Sequence, residues 1–412
     1  MSHGEKSMVE TKKKTWCKTR HRVVTALLRP ILYPIVCLRY HVRIHRFREQ
    51  GDRNYLILMN HQTPFDQFFV SGAFRGPVYF LATEDIFSLG WVSRVIQYLV
   101  APIPIKKQTT DLKAVMNCLK VGREGGTIAL APEGNRTYSG RTEFMKSSIV
   151  PLARKLKMPI ALFRIEGGYG IQPRWSDVIR RGRMQAYVSE VIEPDVYKNM
   201  SDEELFAAIQ TGLFVDEAKL DSTYRHKNLA EYMERAVYVC PFCGLAEFES
   251  HRDTVMCKSC GRKIRYQPTK ELKGEGFDFP FPFMGQWYDY QKNFVNNLDL
   301  TKMTEKPLFR DKGQLSEVIL YKHKELLYKE VDLSLYGDRV LIQASDGTEI
   351  NMPFGEMTAS AVLGRNKLNI YFGDHVYQIY GGKRFNAMKY VNFFHRYQNI
   401  QRGEEHVEFL GL

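Results

Sequence analysis

"NYLILMNHQTPFD", residues 54–66, begins as one kind of structure and ends as another. Its apolar run from Tyr55 to Met59 suits a strand covered on both faces. Asn60, His61, Gln62 and Thr63 then break the run, and Asp66 follows. Thr63-Pro64-Phe65-Asp66 reads as a helix start, with Thr63 at the N-cap, Pro64 first and Asp66 third. That reading accounts for Asp66 but leaves His61 unexplained, at the strand end where α/β sheets receive ligands.

Working outward, 76–83, 125–132 and 159–167 also read as buried strands. Between them 109–124 carries Leu112, Val115, Met116 and Leu119 on one helical stripe. Strands alternating with helices predict an α/β domain with a mixed, largely parallel sheet flanked by helices. The helix predicted over 201–220 opens with Ser201 and Glu204 in capping-box spacing.

The chain has 412 residues, enough for two or three cores, with 44% hydrophobic and 25% charged residues, which excludes wholesale disorder. The net charge of +13 favours anionic partners, and residues 1–50 hold twelve Lys/Arg against three Glu. The apolar stretch 23–38 carries Arg29, Pro30 and Pro34 and falls short of the ~20 residues a spanning helix needs. With its basic flank it reads as a peripheral or monotopic anchor on an anionic membrane surface, against the duller alternative of a buried first helix.

Of seven cysteines, Cys240, Cys243, Cys257 and Cys260 form two Cys-x-x-Cys knuckles. That pattern predicts a zinc ribbon with a structural, closed four-sulfur site, or rubredoxin-like iron as the alternative. "RKIRYQ" (262–267) permits a rival nucleic-acid reading, but the basic excess lies elsewhere, so no nucleic acid is expected. Residues 269–312, aromatic and Pro/Gly-rich at 274–290, read as a packed linker. From 313 to 402 the apolar period is two, with a hairpin pivoting on Gly373-Asp374, then one helix at 385–400. The order of elements predicts a mainly-β, pleckstrin-homology-like (PH-like) unit with cationic loops "GRNK" (364–367) and "GGKR" (381–384). The expected division is therefore 1–50, 51–230, 236–268, 269–312 and 313–402.

A histidine and an aspartate at this spacing suit a base whose tautomer the carboxylate fixes, with the substrate's own alcohol as nucleophile. "LAPEGNRTYSG" (130–140) follows a second strand, and its Gly134 and Arg136 suit phosphate binding. With Asn60, His61 and Asp66 about 70 residues earlier, the pair resembles the first and third motifs of the glycerolipid acyltransferase family, which includes 1-acylglycerol-3-phosphate acyltransferase. "APIPIKKQ" (101–108) resembles its second motif, with Lys106 and Lys107. "FMKS" (144–147) keeps Lys146 but lacks the family's glycine, and "PIAL" (159–162) lacks its second proline. The likeness runs over about 40–200.

What this resemblance implies is acyl transfer to the free glycerol hydroxyl of a lysophosphatidic-acid-like lysophospholipid. His61 would be the base and Asp66 its partner. Asn60, Lys106, Lys107, Glu133, Gly134, Asn135, Arg136 and Lys146 would surround the substrates. Acyl-CoA, an acidic acyl carrier protein or an acyl phosphate would be the donor, with no catalytic cofactor, at the cytoplasmic face of the membrane. Other acceptors (glycerol 3-phosphate, a lyso-aminolipid) and a non-catalytic lipid- or nucleic-acid-binding scaffold remain as alternatives.

Overall fold

The computed structural model describes residues 15–88, 90–105, 111–319 and 323–404. In the first half, α1 (Thr19–Tyr40) leads into β1 (Val42–Ile44), β2 (Leu56–Met59), α2 (Asp66–Ala73), β3 (Val78–Thr83), α3 (Trp91–Val100) and β4 (Ile103–Ile105). Next come α4 (Leu112–Arg123), β5 (Thr127–Leu130), α5 (Ile149–Leu156) and β6 (Ile160–Glu166). Single-turn α6 (Gly168–Ile171), β7 (Met184–Ile192), single-turn α7 (Pro194–Tyr197) and α8 (Asp202–Leu213) complete it. The seven strands lie in the order β1-β7-β6-β2-β5-β3-β4. All neighbours are parallel except β6 and β7.

Both faces are covered, as the continuous apolar runs require. On one, Leu56 and Leu58 join Ile128, Ile160 and Leu162 under α4, α5 and α8. On the other, Ile57 and Met59 join Ala129, Ala161 and Phe163 under α1 and α2. Strand β1 brings residues 42–44 into the sheet, so the basic leading segment also carries structure. The capping box at Ser201 and Glu204 forms, but α8 stops at Leu213 rather than 220.

Helix α1 has 22 residues, about 33 Å at 1.5 Å per residue, so the helix extends beyond the apolar stretch 23–38 at both ends. It is the helix, among the described residues, long and apolar enough to cross a membrane. Arg29 is no free charge on it. Its guanidinium donates to the carbonyls of Gly72 (2.6 Å) and Phe74 (3.0 Å), where the dipole at the end of α2 favours a cation. Val23, Leu27, Ile31, Ile35 and Leu38 stay exposed on α1, beside exposed Trp91, Val95 and Tyr98 of α3.

The second half opens with short strands β8 (Val239–Cys240), β9 (Gly244–Leu245), β10 (Phe248–His251), β11 (Thr254–Cys257), β12 (Lys263–Tyr266) and β13 (Leu272–Gly274). The stretch read as a linker is structured: β13 extends the ribbon sheet and α9 (Met284–Asn296) follows. Its buried face includes Gln291, whose side-chain oxygen accepts from Tyr238 N (2.7 Å) and Val239 N, and this polar residue masks the helical period. Strands β14 (Phe309–Ile319), β15 (His323–Leu335), β16 (Arg339–Ala344), β17 (Glu349–Pro353), β18 (Met357–Leu363), β19 (Lys367–Phe372) and β20 (His375–Tyr380) precede α10 (Ala387–Gln401). They form an antiparallel sheet in the order β17-β16-β15-β14-β20-β19-β18, a half-barrel closed by α10. The hairpin turns at Gly373 (φ +57°), as expected. Tyr138, Tyr169 and Trp175 of the first half belong to the same core as this second half, so the seam is packed.

Candidate active site

Strands β2 and β5 are neighbours with Leu58 opposite Leu130, so the loops that follow them emerge side by side. Three residues further along each chain stand His61 and Glu133. The His61 amide donates to Glu133 Oε1 at 2.8 Å, and the Thr137 amide donates to the His61 carbonyl at 3.1 Å.

The His61 ring meets the Asp66 carboxylate, Nδ1 to Oδ2, at 2.8 Å. Asp66 is 0% exposed and also accepts from Gln62 N, Thr63 N and Thr63 Oγ1 at 2.6–3.1 Å. Helix α2 begins at Asp66 with Phe65 before it, so the expected N-cap role of Thr63 is reversed: the Asp66 side chain caps the turn preceding the helix. A carboxylate this saturated cannot rotate away. It assigns the proton to Nδ1 and leaves Nε2 as an acceptor on a ring that lines a large cavity.

Glu133 is a clamp. Its second oxygen accepts from the Glu143 amide at 2.7 Å, and burial pushes its carboxyl well above the ordinary range despite the two amide bonds. Gly134 turns the loop at φ +69°, a conformation that favours glycine. Asn135 accepts from Arg174. Asn60, expected at the substrate, instead spends its amide on Ile165, donating to its carbonyl (2.8 Å) and accepting from its N–H (2.7 Å). It locks the end of β2 to β6.

A cavity of about 1260 Å³ opens here, with His61, Glu133, Gly134, Asn135 and Lys146 on its wall. Arg136 does not line it; it is buried behind the loop, 8% exposed, with one terminal nitrogen unpartnered. Lys106 and Lys107 lie outside the described residues. One arm of the cavity is apolar, running between α1, α3 and α4 past Phe80, Ile96, Leu99 and Val115. The other is polar, and Tyr288, Asp289 and Lys292 of α9 help to close it. Asp289 pairs with Arg141 across the seam. These α9 residues have no motif and sit more than 140 positions from Glu133; only the fold brings them in. Arg174 is likewise unsignalled by sequence. It is 2% exposed and donates to the Arg136 carbonyl at 3.0 Å.

The four knuckle cysteines converge away from this cavity, with all four sulfurs within 4.8 Å of one another. Cys240 and Cys260 sulfurs are 3.8 Å apart, Cys243 and Cys257 3.6 Å. A tetrahedron with ~2.3 Å metal–sulfur bonds has edges of about 3.8 Å, so this cluster fits a structural metal ion.

The sheet, its paired loops and the histidine–carboxylate couple fall largely within one stretch of the chain that resembles a known family. Residues 39–165 match the family model described as Acyltransferase, over the stretch that carries the motifs. A similar solved structure is the 1-acyl-sn-glycerophosphate (LPA) acyltransferase PlsC from Thermotoga maritima. It is 20% identical, covering 47% of this chain and 78% of that one, with a TM-score of 0.41. No curated protein matches the chain.

Proposed function

We propose that this protein transfers an activated acyl group to the free glycerol hydroxyl of a lysophosphatidic-acid-like lysophospholipid. The observation that carries the reading is His61, held by a fully buried Asp66 and facing a cavity with one apolar and one polar arm. His61 Nε2 takes the acceptor hydroxyl proton as its oxygen attacks the acyl carbonyl carbon. The tetrahedral oxyanion collapses, the acyl–sulfur or acyl–phosphate bond breaks, and the proton on His61 passes to the leaving group. Asp66 stabilises the transient imidazolium. No cofactor enters this scheme.

Arg136, with its unpartnered nitrogen, is assigned to the acceptor phosphate, and Lys106, Lys107 and Lys146 to anionic portions of the substrates. The apolar arm takes the acyl chain. The stripe on α1, flanked by Lys18, Arg20 and Arg22, supports docking on an anionic cytoplasmic membrane face. The cysteine cluster is assigned to zinc, and the C-terminal half-barrel to a PH-like module.

The deciding experiment gives purified protein a panel of acceptors (lysophosphatidic acid, glycerol 3-phosphate, a lyso-aminolipid) with CoA and carrier-protein donors. His61→Ala should lower acyl transfer by about 10²–10⁴-fold or more, with metal content and thermal unfolding unchanged. Normal turnover in that variant removes the assignment.

A further inference from the structure

The turn between β18 and β19, Gly364-Arg365-Asn366, reaches across the seam to the site loop. Arg174 donates to the carbonyls of Gly364 (3.0 Å), Val362 (3.2 Å) and Arg136 (3.0 Å), so one guanidinium binds the C-terminal turn to the residue after Asn135. Tyr138 adds a bond to the Arg365 carbonyl at 3.4 Å. The turn is thereby fixed, and its side chain is not left to wander in solvent.

Arg136, Arg174 and Arg365 therefore share one neighbourhood. Arg365 donates to Asp177 at 3.1 Å, but Asp177 also serves Arg235 (2.8 Å), so a single carboxylate faces two cations. The Arg136 terminal nitrogen and the Arg365 Nε have no hydrogen-bond partner. Arg136 is more than nine-tenths buried, whereas the Arg365 side chain is 27% exposed. Burial first, then the Arg174 and Arg365 charges, push Arg136 down to about 9 against a smaller opposing pull from Asp66, so it stays charged at neutral pH without a direct ion pair. Buried cations in excess of their anions make a site for an anion.

We propose that Arg365, supplied by the C-terminal half-barrel, completes with Arg136 a two-guanidinium site for a phosphate monoester, and that this turn sets headgroup specificity. The inference rests on the acyl-transfer reading above for its substrate. It assigns the C-terminal unit a part in recognition that lies 200 residues beyond the acyltransferase match. A phosphate bridging Arg136 and Arg365 would occupy the fork geometry that guanidinium groups offer.

The test compares wild type, Arg365→Gln and Arg365→Lys as full-length, metal-loaded protein. With lysophosphatidic acid, Arg365→Gln should raise KM roughly 10- to 100-fold with kcat nearly unchanged, as for a lost charged hydrogen bond felt in ground and transition states alike. Arg365→Lys, keeping charge but losing the fork, should fall between. Monoacylglycerol, which has no phosphate, should be used equally well or poorly by all three. A second arm measures thermal shifts with inorganic phosphate and with lysophosphatidic acid; both should stabilise wild type, and neither Arg365→Gln. Unchanged kinetics and shifts, or equal losses on both acceptors, overturn the proposal. A shift with inorganic phosphate alone, without any change in lipid kinetics, identifies a free-phosphate site and overturns the headgroup role. If wild type acylates nothing, the acyl-transfer reading fails by itself, and Arg365-dependent phosphate binding still decides the site.

Discussion

The two large sheets of this protein use their strand ends differently. In the first, β2, β5, β3, β4 and β6 run parallel, so their C-terminal ends and following loops gather at one edge. The candidate site gathers there: His61, Asp66, Glu133 and Asn135 come from two neighbouring loops. In the second, an antiparallel half-barrel, two hairpin runs (β14 to β17 and β18 to β20) meet where β14 pairs with β20, so successive turns fall at alternate strand ends. Among the described residues, no edge of this sheet gathers a histidine with a fully buried carboxylate like the couple of the first. What this half offers the first is a wall, α9, and a single turn, 364–366. The lesson is one of dependence: the motif-bearing half carries the candidate reacting groups, while the other half bounds part of the cavity they line.

The largest expected effect tests that dependence. Structural metal sites contribute roughly 10–16 kcal/mol in small metal-folded peptides, comparable with a whole domain's stability. The core containing Cys240 and Cys257 also contains Trp175, Tyr169 and Tyr138 of the first half. Replacing Cys240 and Cys243 with Ser, or stripping metal with a chelator, should therefore lower the melting temperature and acyl transfer together. Full activity from metal-free protein would break the comparison and make the first half self-sufficient.

Asp66→Asn comes next. An amide keeps the volume but no longer fixes the Nδ1 proton or answers an imidazolium, so kcat should fall about 10²–10⁴-fold with little change in KM. Asp66 also accepts two backbone amides, so the melting temperature is read alongside. A rate loss that merely tracks unfolding would reduce Asp66 to the cap that its position first suggests.

These two sites were legible for physical reasons. A metal knuckle has two residues between its cysteines, and His61 and Asp66 are five positions apart, so both signatures are local. The parallel sheet was readable from uninterrupted apolar runs such as Leu56–Met59. Helix α9 was not, because Gln291 on its buried face answers the amides of Tyr238 and Val239, a need that exists only in the folded chain. Asn60 differs for the converse reason: its place in the motif pointed to substrate, but the end of β6 claims its amide. Arg365 stood in a loop noted as basic, and nothing local could reveal that Arg174 ties that loop to Arg136.

A smaller effect concerns Glu217, 1% exposed behind Gln62, with one carboxylate oxygen bonded to the Gly167 amide and the other unpartnered. Burial, only partly offset by Lys270, raises its pKa from 4.5 to about 7. A carboxyl raised on folding contributes its full stability below pH 4.5 and loses it as pH rises through 7. The unfolded chain ionises first, and the folded chain must then bury a charge. The span corresponds to at most about 3 kcal/mol. Urea titrations should thus show stability falling between pH 4.5 and 7, and Glu217→Gln should flatten that fall. An unaltered slope would assign it to other groups and leave the seam between halves indifferent to pH.

The mildest and most discriminating change is Asp289→Ala, which cuts the strut from α9 to Arg141. Both partners are partly exposed, at 29% and 43%, so the pair itself is worth at most about 1 kcal/mol and the melting temperature should barely move. Function should move more than stability. Asp289 lies on the polar arm with Lys292, whose ammonium is 3.6 Å away, and removing it frees both cations to face the cavity. If α9 merely encloses that space, KM values for donor and acceptor should change by less than about twofold. If it shapes the path of an anionic substrate, losing one negative charge should lower the KM of that substrate several-fold, and high salt should erase the gain. Comparing a CoA donor with a simple acyl phosphate then tells which substrate passes along α9, because only the partner in contact with this wall responds.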